Sequence, residues 1–340
     1  MRKIIFILLS AVLSLTACKT IHEYPGEPGV DPSLIDVKLS LDIDMELNDG
    51  DPIIQTYMDM LGSAYDIRYI VEIYKVSDSY AETVGSLQKR IVKTEETIIE
   101  DGVYRIDEQI QLHAGVYSVM VWIDFVIKGT DTDYYYSTAN LHEIRINRID
   151  GAYPGYDVTK DAFSAQENLD LIPYANERFA EIEMTIPVER PFAVYQVVTT
   201  DINKYIENNA TSSYSSIRPA HTEAAYGLYF PMGYNVYYSV PDAFEAGVGY
   251  TFDVVETVEQ KEAILASDYV FVDDKETFYY LNFSVYSAED KLINTSRDIR
   301  INLERNRLTI VRGEFLTRDI DDGEIGIDPG FDEEIVVPIG

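Results

Sequence analysis

Strict alternation of apolar and polar residues is the feature that most constrains the fold of this chain. The stretch VKLSLDIDMEL (37–47) alternates without a break. Successive side chains of an extended strand lie on opposite faces. The stretch therefore predicts a half-buried strand, with an apolar face formed by Leu39, Leu41, Ile43, Met45 and Leu47.

The same period of two continues through the first half of the chain. Residues 67–76 predict a strand, and residues 90–112 predict two strands around Asp101-Gly102, a dipeptide that favours a hairpin turn. Residues 115–127 are apolar on both faces, which predicts a central strand. Residues 137–146 predict another strand.

A second block of strands begins near residue 180. Residues 180–189 alternate, and the flanking prolines indicate an edge strand or a crossing between domains, because Pro cannot donate to a sheet ladder. Residues 192–200 predict a central strand, and residues 201–209 a short helix with Asp201 as its N-cap. Further strands are predicted in EAAYGLYF, GYTFDVVE, DYVFVD, TFYYLNFSVYS, DIRINLE, RLTIVRGEF and FDEEIVVPIG, with hairpin turns at 287–291 and 304–307.

Short strands separated by turns predict an all-β fold, either a sandwich or a barrel. The chain has 340 residues, which suits two tandem β-sandwich domains of ordinary size. We predict an N-terminal sandwich in residues 35–178 and a C-terminal sandwich in residues 179–340. The acidic stretch 319–328 lacks the ligand spacing of a calcium loop and is interpreted as a linker to the last strand.

The N-terminus has the features of a bacterial lipoprotein signal. Two basic residues precede a short apolar run, and Leu15-Thr16-Ala17-Cys18 then matches the lipobox pattern at all four positions. This predicts a signal peptide in residues 1–17, cleavage between Ala17 and Cys18, and lipid attachment at Cys18. The Pro- and Gly-containing residues 18–34 are predicted to be a tether between the lipid and the fold.

Charge and cysteine content exclude several classes of function. The formal net charge is -32, so a nucleic-acid partner is excluded, because phosphate binding needs a basic surface. Cys18 is the single cysteine. With Cys18 acylated, the chain has no disulfide, no thiolate metal site and no cysteine nucleophile.

Motifs for catalysis or cofactor binding do not occur in the sequence. It contains no HExxH, no Gly-rich phosphate loop and no GxSxG elbow, and its four histidines do not pair at ligand spacing. We therefore expect no enzyme activity, no metal and no cofactor.

Tyrosine is abundant, with 27 residues against one tryptophan. Most of this aromatic content is interpreted as sheet packing, since neighbouring residues of a strand point to opposite faces. The run Tyr134-Tyr135-Tyr136 follows GTDTD in a predicted loop and is the candidate for contact with a glycan.

Three stretches resemble a known group of proteins. At VERPFAVYQVVTTD (188–201), DYVFVDD (268–274) and RNRLTIVRGEFLT (305–317), the chain resembles Bacteroidota cell-surface lipoproteins related to fimbrial anchor and minor fimbrial subunits. The N-terminal CKTIHEYPGEP and the closing GIDPGFDEEIVVPI fit the same group. The resemblance implies two transthyretin-like β-sandwich domains on an outer-membrane lipid anchor, and subunits that join by strand addition.

The sequence leads to a first hypothesis and to rivals. The first is a non-enzymatic, surface-exposed structural or adhesive lipoprotein of the outer membrane, a fimbrial anchor or accessory subunit that contacts other fimbrial or surface subunits. In this hypothesis, residues 333–339 are either an exchanged strand or the last strand of their own domain. The alternative is a glycan-binding surface lipoprotein for nutrient capture. A hydrolase is the third.

Overall fold

A computed structural model describes residues 31–44, 64–76, 85–95, 103–210, 217–256, 261–275, 277–318 and 333–338. The predicted signal peptide and residues 18–30 of the tether lie outside these residues. No helix within the described ranges combines the length and apolar character needed to cross a bilayer.

Strands make up most of the described residues, so the predicted all-β class is confirmed. The helix α1 (Ile202–Asn208) and short 3₁₀ turns at Leu141–Glu143, Val158–Lys160 and Ile172–Tyr174 lie between them. In chain order the strands are β1 (Ile35–Asp44), β2 (Tyr65–Lys75), β3 (Ser86–Glu95), β4 (Val103–Leu112), β5 (Val116–Ile127), β6 (Tyr136–Ser137), β7 (Ile144–Ile146), β8 (Ala162–Asp170), β9 (Glu181–Val188), β10 (Phe192–Thr199), β11 (Pro219–Tyr226), β12 (Tyr229–Asn235), β13 (Val240–Ala246), β14 (Gly249–Asp253), β15 (Val255–Glu256), β16 (Ala263–Phe271), β17 (Thr277–Ser287), β18 (Leu292–Leu303), β19 (Arg307–Gly313) and β20 (Glu333–Pro338).

Two sheets pack face to face in the first half of the molecule. Sheet 1 has the strand order β4–β1–β9, and sheet 2 has the order β3–β2–β5–β8. β1 is antiparallel to β4 and parallel to β9. The first core lies between these sheets, and it includes the alternating residues Val37, Leu39, Leu41 and Ile43 of β1. The alternation of the sequence thus correctly predicts the buried face of β1.

β5 is apolar on both faces because each face meets a different core. Val119, Val121 and Ile123 lie in the first core, whereas Met120 and Trp122 lie in the second. β5 pairs with β2 on one side and β8 on the other, which confirms the prediction of a central strand.

The second core lies among three further sheets. Sheet 3 has the order β13–β12–β7–β6, sheet 4 has β15–β16–β10–β19–β20, and sheet 5 has β14–β11–β17–β18. β10 and β16, in the middle of sheet 4, are buried over their whole length. The predicted central strand at 192–200 is therefore confirmed.

The sheets do not follow the predicted boundary between residues 178 and 179. That boundary assigns β9 to the C-terminal sandwich, whereas β9 pairs with β1 at the edge of sheet 1. Conversely, β7 lies before the boundary but pairs with β12 of the second half. The prediction of an edge strand at 180–189 is confirmed.

Strand positions were predicted better than strand pairing. β3 and β4 were predicted to form a hairpin, but β3 pairs with β2 and β4 with β1, so the segment between them joins two sheets. The turn at 304–307 likewise connects β18 in sheet 5 to β19 in sheet 4. The hairpin turn at 287–291 is confirmed by the β17–β18 ladder. Residues 137–146 form β6 and β7 with a 3₁₀ turn between them instead of one strand.

Candidate functional site at the edge strand β20

β20 is the outermost strand of sheet 4 and has one neighbour, β19, among the described strands. The two strands are antiparallel, with Arg307 opposite Pro338 and Arg312 opposite Glu333. On its other side, β19 is parallel to the buried strand β10. β19 is therefore the element that would carry the open edge of this sheet if β20 were displaced.

The side chains of β19 explain why this edge needs a covering strand. Val311 is fully buried in the second core, and Leu308 and Ile310 pack against the same core while half-buried. A strand edge with apolar side chains and unpaired main-chain groups is a template for pairing with another chain.

Buried hydrogen bonds hold the backbone in place just before the connection to β20 begins. Asp201 is 3% exposed, and its carboxylate accepts hydrogen bonds from the backbone N–H of Thr317 at 2.7 Å and from that of Leu316 at 3.2 Å. It also accepts from the hydroxyls of Thr317 at 2.8 Å and Thr199 at 2.5 Å. Four donors on one buried carboxylate make residues 316 and 317 a fixed point of the chain.

This arrangement corrects the role predicted for Asp201. The helix α1 does begin after Asp201, as predicted, but the carboxylate makes no capping hydrogen bond to the helix. Its oxygens instead accept hydrogen bonds from the backbone of Leu316 and Thr317, in the segment after β19. One face of the helix is directed inward, because Ile202 is buried and Tyr205 and Ile206 pack against the second core.

Neighbouring contacts strengthen the same fixed point. Phe315 and Leu316 are buried, and the Asn294 side-chain amide donates to the carbonyl of Phe315 at 2.9 Å and to that of Arg318 at 3.0 Å. At the surface, Lys204 on α1 donates to Glu314 at 2.7 Å, and this hydrogen bond raises the pKa of Lys204.

The connection from this fixed point to β20 is long. Residues 319–332, fourteen in number, separate Arg318 from Glu333 and are rich in Asp, Glu and Gly. An extended chain of that length spans at most about 50 Å. The covalent geometry therefore lets β20 pair with β19 of its own chain or with an equivalent edge of a neighbouring molecule.

The tyrosine run proposed for glycan contact is largely a core element. Tyr135 is 4% exposed and Tyr136 is 1% exposed, and the Tyr136 hydroxyl donates to the carbonyl of Lys160. Tyr134 is half-buried with its ring 4.6 Å from that of Tyr135. Alternation does not expose the run, because Tyr135 and Tyr136 both belong to the second core and Tyr134 packs against it. The three rings do not form an exposed stacking platform.

A groove of ≈ 770 Å³ runs beside sheet 1. It is lined by charged and amide side chains, among them Asp36, Lys38, Lys89 and Glu183, and its described lining contains no aromatic ring. Lys38 bridges Asp107 at 3.2 Å and Glu183 at 2.8 Å across the sheet. Stacking on a sugar needs an aromatic face, so this groove does not replace the tyrosine run as a glycan site.

Two predicted site residues cannot be placed. Cys18 and Ala17 lie outside the described residues, so lipid attachment and signal cleavage stay predictions. Across the part of the chain that is described, no group of three or more His, Cys, Asp or Glu side chains is arranged to hold a metal ion.

A comparison with protein families assigns the chain. A family model matches residues 32–339, which is nearly the whole of the predicted mature protein. The chain belongs to the family of unknown function DUF6562. A search of curated proteins finds no match to this DUF6562 chain.

Solved structures show a distant likeness in fold. One is the fimbrial anchor protein Mfa2 from Porphyromonas gingivalis, with 10% identity, a TM-score of 0.41, and coverage of 82% of this chain and 90% of that one. Another is a putative polysaccharide binding protein from Bacteroides thetaiotaomicron, with 9% identity, a TM-score of 0.45, and coverage of 83% and 93%. A third is a fimbrial assembly protein from Parabacteroides distasonis, with 11% identity, a TM-score of 0.39, and coverage of 84% and 94%.

These proteins come from the group that the sequence resembles. At such low identities and TM-scores, the likeness does not transfer a function to this DUF6562 chain.

Proposed function

We propose that this protein is a lipid-anchored, non-enzymatic component of the bacterial cell surface. In this proposal it is a fimbrial anchor or accessory subunit, attached to the outer membrane through Cys18, that joins a partner subunit by strand addition at β19. The lipobox supports the anchor, and the all-β fold suits a mechanical or adhesive role.

The observation that carries the proposal is the arrangement of β20. It is an edge strand with one neighbour among the strands that the structure describes, and fourteen residues separate it from a fixed point built around Asp201. Strand addition gains affinity from main-chain hydrogen bonds and specificity from alternate side chains. A partner strand that takes the place of β20 would inherit the six-residue register along β19.

A disulfide lock across β19 and β20 tests this mechanism. The positions Ile310 and Ile335 are directly opposite each other, and Cys18 is the single native cysteine. We expect cells that produce Ile310→Cys/Ile335→Cys to lose anchored filaments as cells lacking the gene do, because β20 can no longer leave. Filaments released by shearing and filaments left on the cells would be quantified for each strain.

The matched control is a second cross-strand lock inside a hairpin. Ser284 and Thr295 are opposite each other in the β17–β18 ladder, with hydroxyls 3.0 Å apart. Ser284→Cys/Thr295→Cys should retain wild-type filaments. Normal fimbriae in cells lacking the gene would overturn the anchor role. Normal fimbriae with the β19–β20 lock alone would overturn strand addition at β19 and leave the anchor role standing.

A further inference from the structure

Lys160 and Asp268 form an ion pair in the centre of the second core. Lys160 ends the 3₁₀ turn Val158–Lys160, and Asp268 lies in the buried strand β16. Both side chains are 0% exposed, and the Lys160 Nζ is 2.6 Å from the Asp268 Oδ1. The pair links the 3₁₀ turn after β7 to β16 in the middle of sheet 4, and the two residues are 108 positions apart in the sequence.

Tyrosine hydroxyls surround the carboxylate. The Tyr153 hydroxyl donates to Asp268 Oδ2 at 2.7 Å and accepts from Lys160 Nζ at 2.8 Å, so it bridges the two side chains. The Tyr226 hydroxyl donates to the same Oδ2 at 2.8 Å. Burial raises the pKa of Tyr153 and of Tyr226 well above the ordinary value, which keeps both hydroxyls protonated as donors.

Burial acts on the charge of Lys160. Removing a charge from water is costly, and an amine responds by losing its proton more readily. Burial lowers the pKa of Lys160, although Asp268 opposes the shift. The Tyr153 hydroxyl offers a path for a proton from Nζ to Oδ2, because it accepts from Nζ and donates to Oδ2.

We propose that Lys160 and Asp268 react with each other to form an intramolecular amide. Tyr153 first relays a proton from Nζ to Oδ2, after which the Nζ lone pair attacks Cγ and a C–N bond forms. Oδ2 takes a second proton that originates on Nζ and is relayed by Tyr153, and the Cγ–Oδ2 bond breaks with release of one water. No oxidant or reductant is required, and the backbone N–H of Tyr269 stabilises the negative charge that develops on Oδ1 as Nζ adds to Cγ.

The product keeps the hydrogen bonds that matter for a buried amide. Lys160 Nζ also donates to the carbonyl of Gly155 at 2.7 Å, so the remaining amide N–H retains a partner. Oδ1 becomes the amide oxygen and still accepts from the backbone N–H of Tyr269 at 2.8 Å. A single cysteine leaves this chain without disulfides, so the amide would be its covalent cross-link.

Peptide mapping of the full chain tests the amide. Trypsin does not cleave after an acylated lysine, so the digest should contain residues 149–178 joined to residues 262–275. The branched peptide should weigh one water less than the sum of its two parts. Separate peptides ending at Lys160 and at Lys275 with their full sequence masses would overturn the proposal.

Control variants make the assignment specific. Lys160→Met should abolish the branched peptide, and a denatured digest gives the result whether or not that variant folds. Tyr153→Phe should leave a mixture of branched and separate peptides, because the proton relay is lost. Lys204 and Glu314 are 2.7 Å apart but roughly half exposed, and they should yield separate peptides, since both groups are open to water. An equal yield of branched peptide from that exposed pair would show a preparation artefact and overturn the assignment.

Discussion

At the scale of single residues, His142 shows how burial sets the response of this protein to pH. Its Nε2 is buried and has no hydrogen-bond partner among the described residues, and its ring lies 5.1 Å from that of Tyr74 and 5.3 Å from that of Tyr237. Tyr74 belongs to β2 and Tyr237 to the turn after β12, so His142 packs between the two halves of the molecule. Burial lowers the pKa of His142, and the nearby carboxylates of Glu72 and Glu143 only partly offset this effect.

We predict that acidification destabilises the protein through His142. The folded-state pKa lies below the model-peptide value of 6.5, so the unfolded chain binds the proton first as the pH falls. This contribution to stability is present above pH 6.5 and is lost as the pH falls toward the folded-state pKa. In urea unfolding at a series of pH values, His142→Phe should show a weaker loss of stability below pH 6.5 than the wild type. The exposed His113 provides the control: His113→Gln should follow the wild-type curve, and an unchanged curve for His142→Phe would contradict the prediction.

At the scale of elements, the sequence specifies which face of a strand is buried but leaves its partner open. The alternation in β1 and β9 correctly predicts the buried face of each strand, but it does not specify that β9 pairs with β1. The Asp101-Gly102 pair predicts a hairpin, but β3 pairs with β2 in sheet 2 and β4 with β1 in sheet 1. The same limit applies to the site: β20 was recognised as a strand, whereas the role of Asp201 depends on contacts across more than a hundred residues.

The fixed point before β20 leads to a prediction for Asp201. Asp201→Ala would leave the backbone N–H groups of Leu316 and Thr317 and the hydroxyl of Thr199 without their acceptor. Unsatisfied buried donors cost about 1–3 kcal/mol, so we expect the free energy of unfolding to fall by about that amount. Urea unfolding measures it. The control is Lys204→Ala, which removes the exposed ion pair with Glu314 and should change stability little. Equal losses in both variants would show that Asp201 is not a fixed point.

At the scale of the whole molecule, the sheet that contains β5 lies between the two cores and forms a shared wall, with one face in each core. β5 directs alternate side chains into the first and the second core, and β9 and β7 cross the boundary that sequence length and turn spacing suggested. No local pattern in the sequence marks such crossings, because each crossing strand has the same period as its neighbours. The apolar character of β5 on both faces was the one local signal that two cores meet there.

This shared wall predicts that the two halves unfold together. Trp122 is the single tryptophan, is fully buried, and has its ring 5.2 Å from Tyr136 and 6.4 Å from Phe271 of β16. In urea, Trp122 fluorescence and far-UV circular dichroism should follow one transition with the same midpoint, which is the behaviour of a two-state system. A reporter in the first core gives the control: Trp122→Phe/Phe163→Trp moves the probe to β8, where Phe163 is fully buried among residues of sheets 1 and 2. The same midpoint for both probes means that neither core survives without the other, because loss of β5 removes one face of each. Separate midpoints would show that the two cores unfold as independent units, and the unit with the lower midpoint would then limit the stability of the protein.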